Sequence, residues 1–530
     1  MPPLSRIVRC ALALLIVGVL TVGCGGHAER PAALPPDPSV VATSAGLLRG
    51  VATLDKRHFA GIPYAAPPVG PLRWQPPQPV RPWSGVHDAT KVGPRCIQDE
   101  GSDLEMGRQT DEDCLTLNVW TPPPAKELRP VMVWIHGGAF INGNGGMYDS
   151  RWFVDRGDIV VVTLNYRLGA LGFLAHPALG PAGAVGNYGL ADQQAALRWV
   201  RDNITAFGGD PDKVTIAGES AGAMSVCDHL VAPGSAGLFR AAIIQSGPCQ
   251  AQLALPAAER ISADYAREVG CGDPAVAAAC LRALPVHKLQ KPVWYDRIGE
   301  DTLSGPVYGS AVLPEDPMVA LRAGRVADVP ILIGTNRDEF TLFVALQYLR
   351  AGRQYAAEEY PGLLENTFGP EAPAVAARYP LQRHGGSAAL AYAAAVTDGV
   401  FACVAARMAG ELSGANRVYA YQFDDPHPPT PEPMRTLPFP VGASHSLELR
   451  YLFDVGGAPA LNPAQQQLSN QMIDYWSRFV TDGAPSAPGA ADWPQLDGAA
   501  PWMSLRPDGN RVIDDFDAQH QCEFWAGLSR

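Results

Sequence analysis

The sequence predicts an α/β fold: a mostly parallel, doubly wound central sheet flanked by helices, with large loop and helical insertions. Three observations lead there. Short apolar runs of strand length recur along the chain, as expected of strands buried on both faces. Amphipathic helical patterns lie between them, the alternation that builds a sheet covered on both sides. Finally, the β-branched run Val214–Ala217 enters Gly218-Glu219-Ser220-Ala221-Gly222 and leaves as the helix-compatible stretch Ala221 to Leu230. That is a strand turning sharply into a helix.

The chain opens with a segment that reads as an export signal. Arg6 and Arg9 supply positive charge, and the apolar run Ala11 to Val22 falls short of the ~20 residues a membrane-spanning helix needs. Leu20-Thr21-Val22-Gly23-Cys24 resembles a bacterial lipobox, in which the cysteine is lipidated, although Thr21 departs from the usual leucine. An ordinary secretory peptide is the alternative. The expected organisation is a signal over 1–23, a Gly/Ala/Pro-rich flexible tether over 24–38, and one α/β domain over 39–530. Length alone would allow two domains, but no internal repeat or low-complexity break divides the chain. The expected location is outside the cell, anchored to the membrane through Cys24 or otherwise secreted. The net charge of -12 lacks the basic footprint of a nucleic-acid binder. Any membrane association is therefore expected only through the lipid.

Pro130 to His136, Ile159 to Leu164, Val214 to Ala217, Ala241 to Gln245, Val329 to Ile333 and Val418 to Phe423 are the predicted strands. Leu190 to Phe207 and Pro463 to Val480 carry apolar residues at helical spacing, with Leu468, Met472, Ile473, Trp476 and Phe479 on one face of the second. In such sheets reactive groups gather at the carboxyl ends of the strands. Ser220 follows a strand directly.

Gly218 to Gly222 fits G-x-S-x-G, which exposes a serine hydroxyl on a strand-to-helix turn as a nucleophile. His136-Gly137-Gly138-Ala139-Phe140, after an earlier strand, matches a loop that offers backbone N–H groups to an oxyanion. Small residues are needed there because amides must approach to about 3 Å. A serine nucleophile needs a base, and the base a carboxylate, in the chain order Ser, acid, His. Asp338 and Glu339 both follow the strand ending at Ile333. The later histidines are His384, His427, His445 and His520. His445, in a loop leading to an apolar stretch, is preferred over the other three. No C-x-x-C or H-E-x-x-H spacing is present, so neither a metal nor another cofactor is expected.

These motifs resemble the type-B carboxylesterases, the cholinesterase-like branch of the α/β-hydrolase fold. The likeness covers nearly all of the chain after the leader, including Phe59-Ala60-Gly61-Ile62-Pro63-Tyr64-Ala65, Glu112-Asp113-Cys114-Leu115, Asn165-Tyr166-Arg167-Leu168-Gly169, Gly186 to Gln193, Phe207 to Pro211 and Gln245-Ser246-Gly247. The resemblance implies a serine esterase acting on small-molecule carboxylic esters. It implies Ser220 as nucleophile, Glu339 as acid and His445 as base, with oxyanion donors at the amides of Gly138, Ala139 and Ala221. Ser246 would support the acid. An amidase or thioesterase could use the same triad, and non-catalytic binding proteins share the fold. No tryptophan lies between Cys96 and Cys114, where the family's choline-binding enzymes use one for cation–π contact. Cholinesterase activity is therefore not expected.

With Cys10 in the signal and Cys24 as the lipid site, an even set of eight cysteines remains, as in proteins of oxidising compartments. The resemblance implies bridges Cys96–Cys114, Cys271–Cys280 and Cys403–Cys522. A fourth, Cys227–Cys249, is a hypothesis beyond it. Ion pairs Arg73–Glu112 and Arg167–Asp192 carry over as structural. Asn203-Ile204-Thr205 matches a glycosylation sequon that is expected to be idle beside a bacterial-type lipobox.

Overall fold

A computed structural model describes residues 37–98, 109–298 and 301–528. The signal, nearly all of the tether and Cys24 lie outside the described residues. An eleven-stranded sheet forms the spine. In chain order its strands are β1 (Val51–Ala52), β2 (Arg57–Pro63), β3 (Thr116–Thr121), β4 (Arg129–Ile135), β5 (Val160–Leu164), β6 (Gly209–Glu219), β7 (Ala241–Gln245), β8 (Ile331–Asn336), β9 (Val418–Phe423), β10 (Trp502–Leu505) and β11 (Arg511–Ile513). They lie in the order β11-β10-β9-β8-β7-β6-β4-β5-β3-β2-β1. Strands β5 through β10, with β4, run parallel, and the outer strands on both sides run antiparallel. This is the predicted α/β-hydrolase architecture.

The parallel strands are apolar because both faces are covered. Alternate residues of β4 point to opposite cores. Val131, Val133 and Ile135 join Leu197 and Val200 of α1 (Tyr188–Asn203) and Val226 and Leu230 of α2 (Ala221–Val231). Met132 and Trp134 join Leu468, Met472, Trp476 and Phe479 on the far face. A third apolar group unites α3 (Thr341–Ala351) and α4 (Ala388–Val396) with Phe401, just before α5 (Cys403–Ser413). The last long helix is α6 (Pro463–Asp482), opened by an Asn462/Gln465 capping box and closed by left-handed Gly483.

Two predicted strands, β7 and β9, have the expected bounds. The strand expected over Val329 to Ile333 begins later and runs on to Asn336, because the carbonyls of Ala327 and Val329 go to the Asn416 side chain rather than to the sheet. Its polar end, Thr335 and Asn336, pairs with Gln422 and Phe423. The helix expected over Leu190 to Phe207 tightens into a 3₁₀ turn at Ile204–Phe207, ended by Gly208 at φ 89°. The antiparallel edge strands escape sequence reading because they are short or carry polar, Gly and Pro residues. β2, for instance, shifts register around Ala60 and Gly61.

Candidate active site

The predicted serine stands where strand and helix meet at a strained corner. β6 ends at Glu219, α2 begins at Ala221, and Ser220 between them holds φ 56° and ψ -125°. Such a backbone is costly for a residue with a Cβ and persists only where its surroundings fix it. Here the Ser220 amide donates to Gln245 O at 2.9 Å. The flanking glycines are required by contact. A Cβ on Gly218 would come within 2.5 Å of Gly222 carbonyl atoms, and one on Gly222 within 2.0 Å of Ile135 O.

Glu339 lies in the turn after β8 and His445 in the loop before a 3₁₀ turn at Leu447–Tyr451. His445 Nδ1 is 2.6 Å from Glu339 Oε2, and both side chains are buried. The other Glu339 oxygen accepts from Thr335 Oγ1 at 2.8 Å and from the Asn336 amide at 2.7 Å. Backbone bonds lock the two segments together, His445 N to Glu339 O and Asp338 N to Ala443 O. The Asp338 carboxylate accepts from Ala443 N at 2.9 Å, so this acid holds the histidine loop while Glu339 meets the ring.

The second nitrogen of His445 faces another carboxylate. Nε2 is 3.2 Å from Glu219 Oε1, which also accepts from Ser446 Oγ at 2.6 Å. Among the described residues, no hydrogen bond joins the half-buried Ser220 hydroxyl to His445. Burial works to lower the imidazole pKa, but Glu219 and Glu339 outweigh it and push it up to about 9. Burial raises Glu219. Glu448, which accepts from Asn336 Nδ2 at 2.6 Å and Gln245 Nε2 at 3.2 Å, is pushed up to about 8 by burial and by the other two glutamates. The imidazole is thus clasped between two carboxyl groups, with a third acid nearby whose burial favours its uncharged form.

The His136–Phe140 loop abuts this corner. A Cβ on Gly137 would lie 2.7 Å from Glu219 O and 3.0 Å from Ser220 Cβ. Gly138, Ala139 and Phe140 all take positive φ, at 104°, 52° and 59°. Among the described residues, nothing accepts a hydrogen bond from the amides of Gly138, Ala139 or Ala221, which leaves them available to a ligand oxygen. Ser246 departs from expectation. Among the described residues its buried Oγ has no hydrogen-bond partner, and the second oxygen of Glu339 is occupied by Thr335 and Asn336.

All four bridges are formed: Cys96–Cys114, Cys227–Cys249, Cys271–Cys280 and Cys403–Cys522. Arg73 pairs with Glu112 at 2.6 Å and Arg167 with Asp192 at 2.7 Å. Of the rival histidines, His520 is buried against Asp398 and Gln422 rather than the serine. His384 stacks on Tyr379, and His427 lies in the proline-rich loop where its amide donates to Asp425.

Sequence reading missed Glu219 as a contact of His445, although it adjoins the serine, because G-x-S-x-G leaves that position open. It also missed Thr335 and the aromatic wall. Phe343 and Phe401 lie 5.3 and 5.4 Å from the His445 ring. Phe401 comes from a segment far from either acid or base, and no local pattern marks it.

The sequence pattern of the Carboxylesterase family matches residues 37–525. The chain is 37% identical to para-nitrobenzyl esterase of Bacillus subtilis (strain 168), over 86% of this chain and 92% of the relative. It is 34% identical to acylcarnitine hydrolase of Mus musculus, over 84% and 82%. It is also 34% identical to pyrethroid hydrolase Ces2e of Rattus norvegicus, over 88% and 84%. A match of this extent, joined to the sheet and the corner it carries, places the chain in the carboxylesterase family, as a carboxylic ester hydrolase of the α/β-hydrolase fold.

Proposed function

We propose that ester hydrolysis here runs through an acyl-serine on Ser220, with His445 as general base and acid and Glu339 as its carboxylate partner. The observation that carries this reading is the buried 2.6 Å contact between His445 Nδ1 and Glu339 beside the strained Ser220 corner. His445 Nε2 takes the Ser220 proton as Oγ attacks the ester carbonyl. Contacts of this kind commonly tighten only once substrate is bound, so the resting contact with Glu219 gives way to Ser220. The amides of Gly138, Ala139 and Ala221 stabilise the oxyanion. Glu339 holds the ring and balances the imidazolium. The imidazolium then protonates the leaving alcohol, and a water molecule repeats the sequence to release the acid and restore Ser220. Ser220→Ala should lower kcat by on the order of 10⁶-fold, measured with p-nitrophenyl butyrate. Turnover close to that of the parent would overturn the assignment.

The same reading places the enzyme outside the cell, on a tether of residues 24–38 from lipidated Cys24 to a catalytic domain beginning near Ser39. Four disulfides support an oxidising compartment. Cys24→Ser should release the enzyme from the membrane fraction into the medium or periplasm. Continued sedimentation with membranes would remove the anchor. The relatives' names describe a nitrobenzyl ester, an acylcarnitine and a pyrethroid as substrates. Esters with unlike alcohols are accordingly the class to survey first.

A further inference from the structure

A second buried histidine–carboxylate pair, His520 with Asp398, lies behind the wall of the site. Between α4 and α5 the chain widens into a π-turn, Thr397–Ala402, a distortion often found at functional positions. Three of its residues reach in different directions. Thr397 Oγ1 accepts from the amide of Phe340, the residue after Glu339, at 2.9 Å. Phe401 packs its ring 5.4 Å from that of His445 and 6.3 Å from Phe343. Asp398 turns away from the site and is 2.6 Å from His520 Nδ1, while Tyr379 donates to its other oxygen at 2.7 Å.

The C-terminal segment fastens this turn from outside. His520 Nε2 is 2.6 Å from Gln422 Oε1, so both ring nitrogens face oxygen acceptors, and His520, Gln422 and Asp398 are all buried. Trp525 donates to the Tyr379 hydroxyl at 2.8 Å, and its ring leaves no room for a Cβ on Gly399, which would lie 2.6 Å from it. Cys403–Cys522 clamps the same two segments one residue beyond the turn. A packing role alone would be met by apolar residues, and burying polar groups gains little net stability even when they are hydrogen-bonded. Directional bonds do fix a backbone turn in one geometry, and here they fix the turn that presents Phe401.

We propose that Asp398 and His520 are positioning residues for hydrolysis: they hold the π-turn so that Phe401 covers the His445 imidazole. The proposal rests on His445 being the base. Its path runs from the C-terminal segment through Asp398 and Phe401 to the ring.

The test is a double-mutant cycle on the full exported enzyme with p-nitrophenyl butyrate. Ser220 is first titrated with a fluorophosphonate, so that rates refer to active sites. Asp398→Ala, and separately His520→Gln, should lower kcat about tenfold, as small misplacement of a reacting group does, with KM within about twofold. In a Phe401→Ala background the same changes should cost less than about twofold more, because the path to His445 is already cut. Effects that multiply, or a kcat that does not fall, would overturn the proposal. Phe401→Leu keeps the network intact and tests the last link alone. If Asp398 and His520 variants fail to fold, an unchanged kcat for Phe401→Leu overturns the proposal and a selective fall in kcat supports it. Failure of the titration in the parent enzyme would instead count against Ser220 as nucleophile.

Discussion

Replacing Glu219 with glutamine should shift the acid limb of the pH–rate profile downward. The base must be unprotonated to take the serine proton, so kcat/KM falls as pH drops below the His445 pKa. That pKa is pushed up to about 9 in the resting protein, where burial is outweighed by Glu219 and Glu339. At the 3.2 Å between Nε2 and Glu219 Oε1, opposite unit charges attract by about 5 kcal/mol at an effective dielectric near 20. Part of that attraction offsets the burial that raises Glu219 itself. Neighbouring charges in proteins move a pKa by about 1–3 units, so removing this one should lower the limb by about 1–2 units. Glutamine preserves the shape and can still accept from Ser446. The assay is kcat/KM over a pH range spanning the acid limb, read at the nitrophenol isosbestic wavelength. Linkage supplies a second sign. A histidine with a raised pKa stabilises the fold fully below its unfolded value and loses that contribution as pH rises through about 9. Glu219→Gln should therefore cost more stability at acid pH than at alkaline pH. An acid limb that stays in place or rises would refute the reasoning.

Other expectations follow from single contacts. Thr335→Val removes the 2.8 Å hydroxyl bond to Glu339 and should lower kcat on the order of tenfold, the equivalent of one charge-assisted hydrogen bond; an unchanged kcat would show that Asn336 N suffices. Gly222→Ala drives a Cβ to 2.0 Å from Ile135 O and should cost about 3 kcal/mol or more, as overpacking against backbone does, seen as a lowered Tm. Replacing Cys403 and Cys522 together with serine opens a loop of 119 residues, worth about 5 kcal/mol in the chain-entropy estimate. Calorimetry showing the same Tm would contradict that role.

The sheet's parallel centre was legible because strands buried on both faces must be apolar throughout, and β7 and β9 stand out as such. Its antiparallel side was not, since β2 and β3 break up their apolar residues with polar ones, and β2 also with Gly and Pro. Ser220 and the glycine loop announce themselves through backbone geometry that few residues tolerate. The choice between Asp338 and Glu339 does not, because both sit in one turn. Only tertiary placement sends one carboxylate to His445 and the other to the Ala443 amide. Ser246 was expected to support the acid, yet the support comes from Thr335, at the end of β8 four residues before Glu339. Phe401 and His520 reach the site's surroundings through a π-turn and a disulfide, long-range features with no period or motif.

In the proposed mechanism Ser220 carries the acyl group. Brief incubation with a fluorophosphonate, digestion and mass mapping of the adduct tests it most directly. Stoichiometric labelling is expected on the peptide bearing Gly218 to Gly222, at Ser220, with activity lost in proportion. Full inactivation with the adduct on any other residue, or continued turnover by fully labelled enzyme, would contradict it.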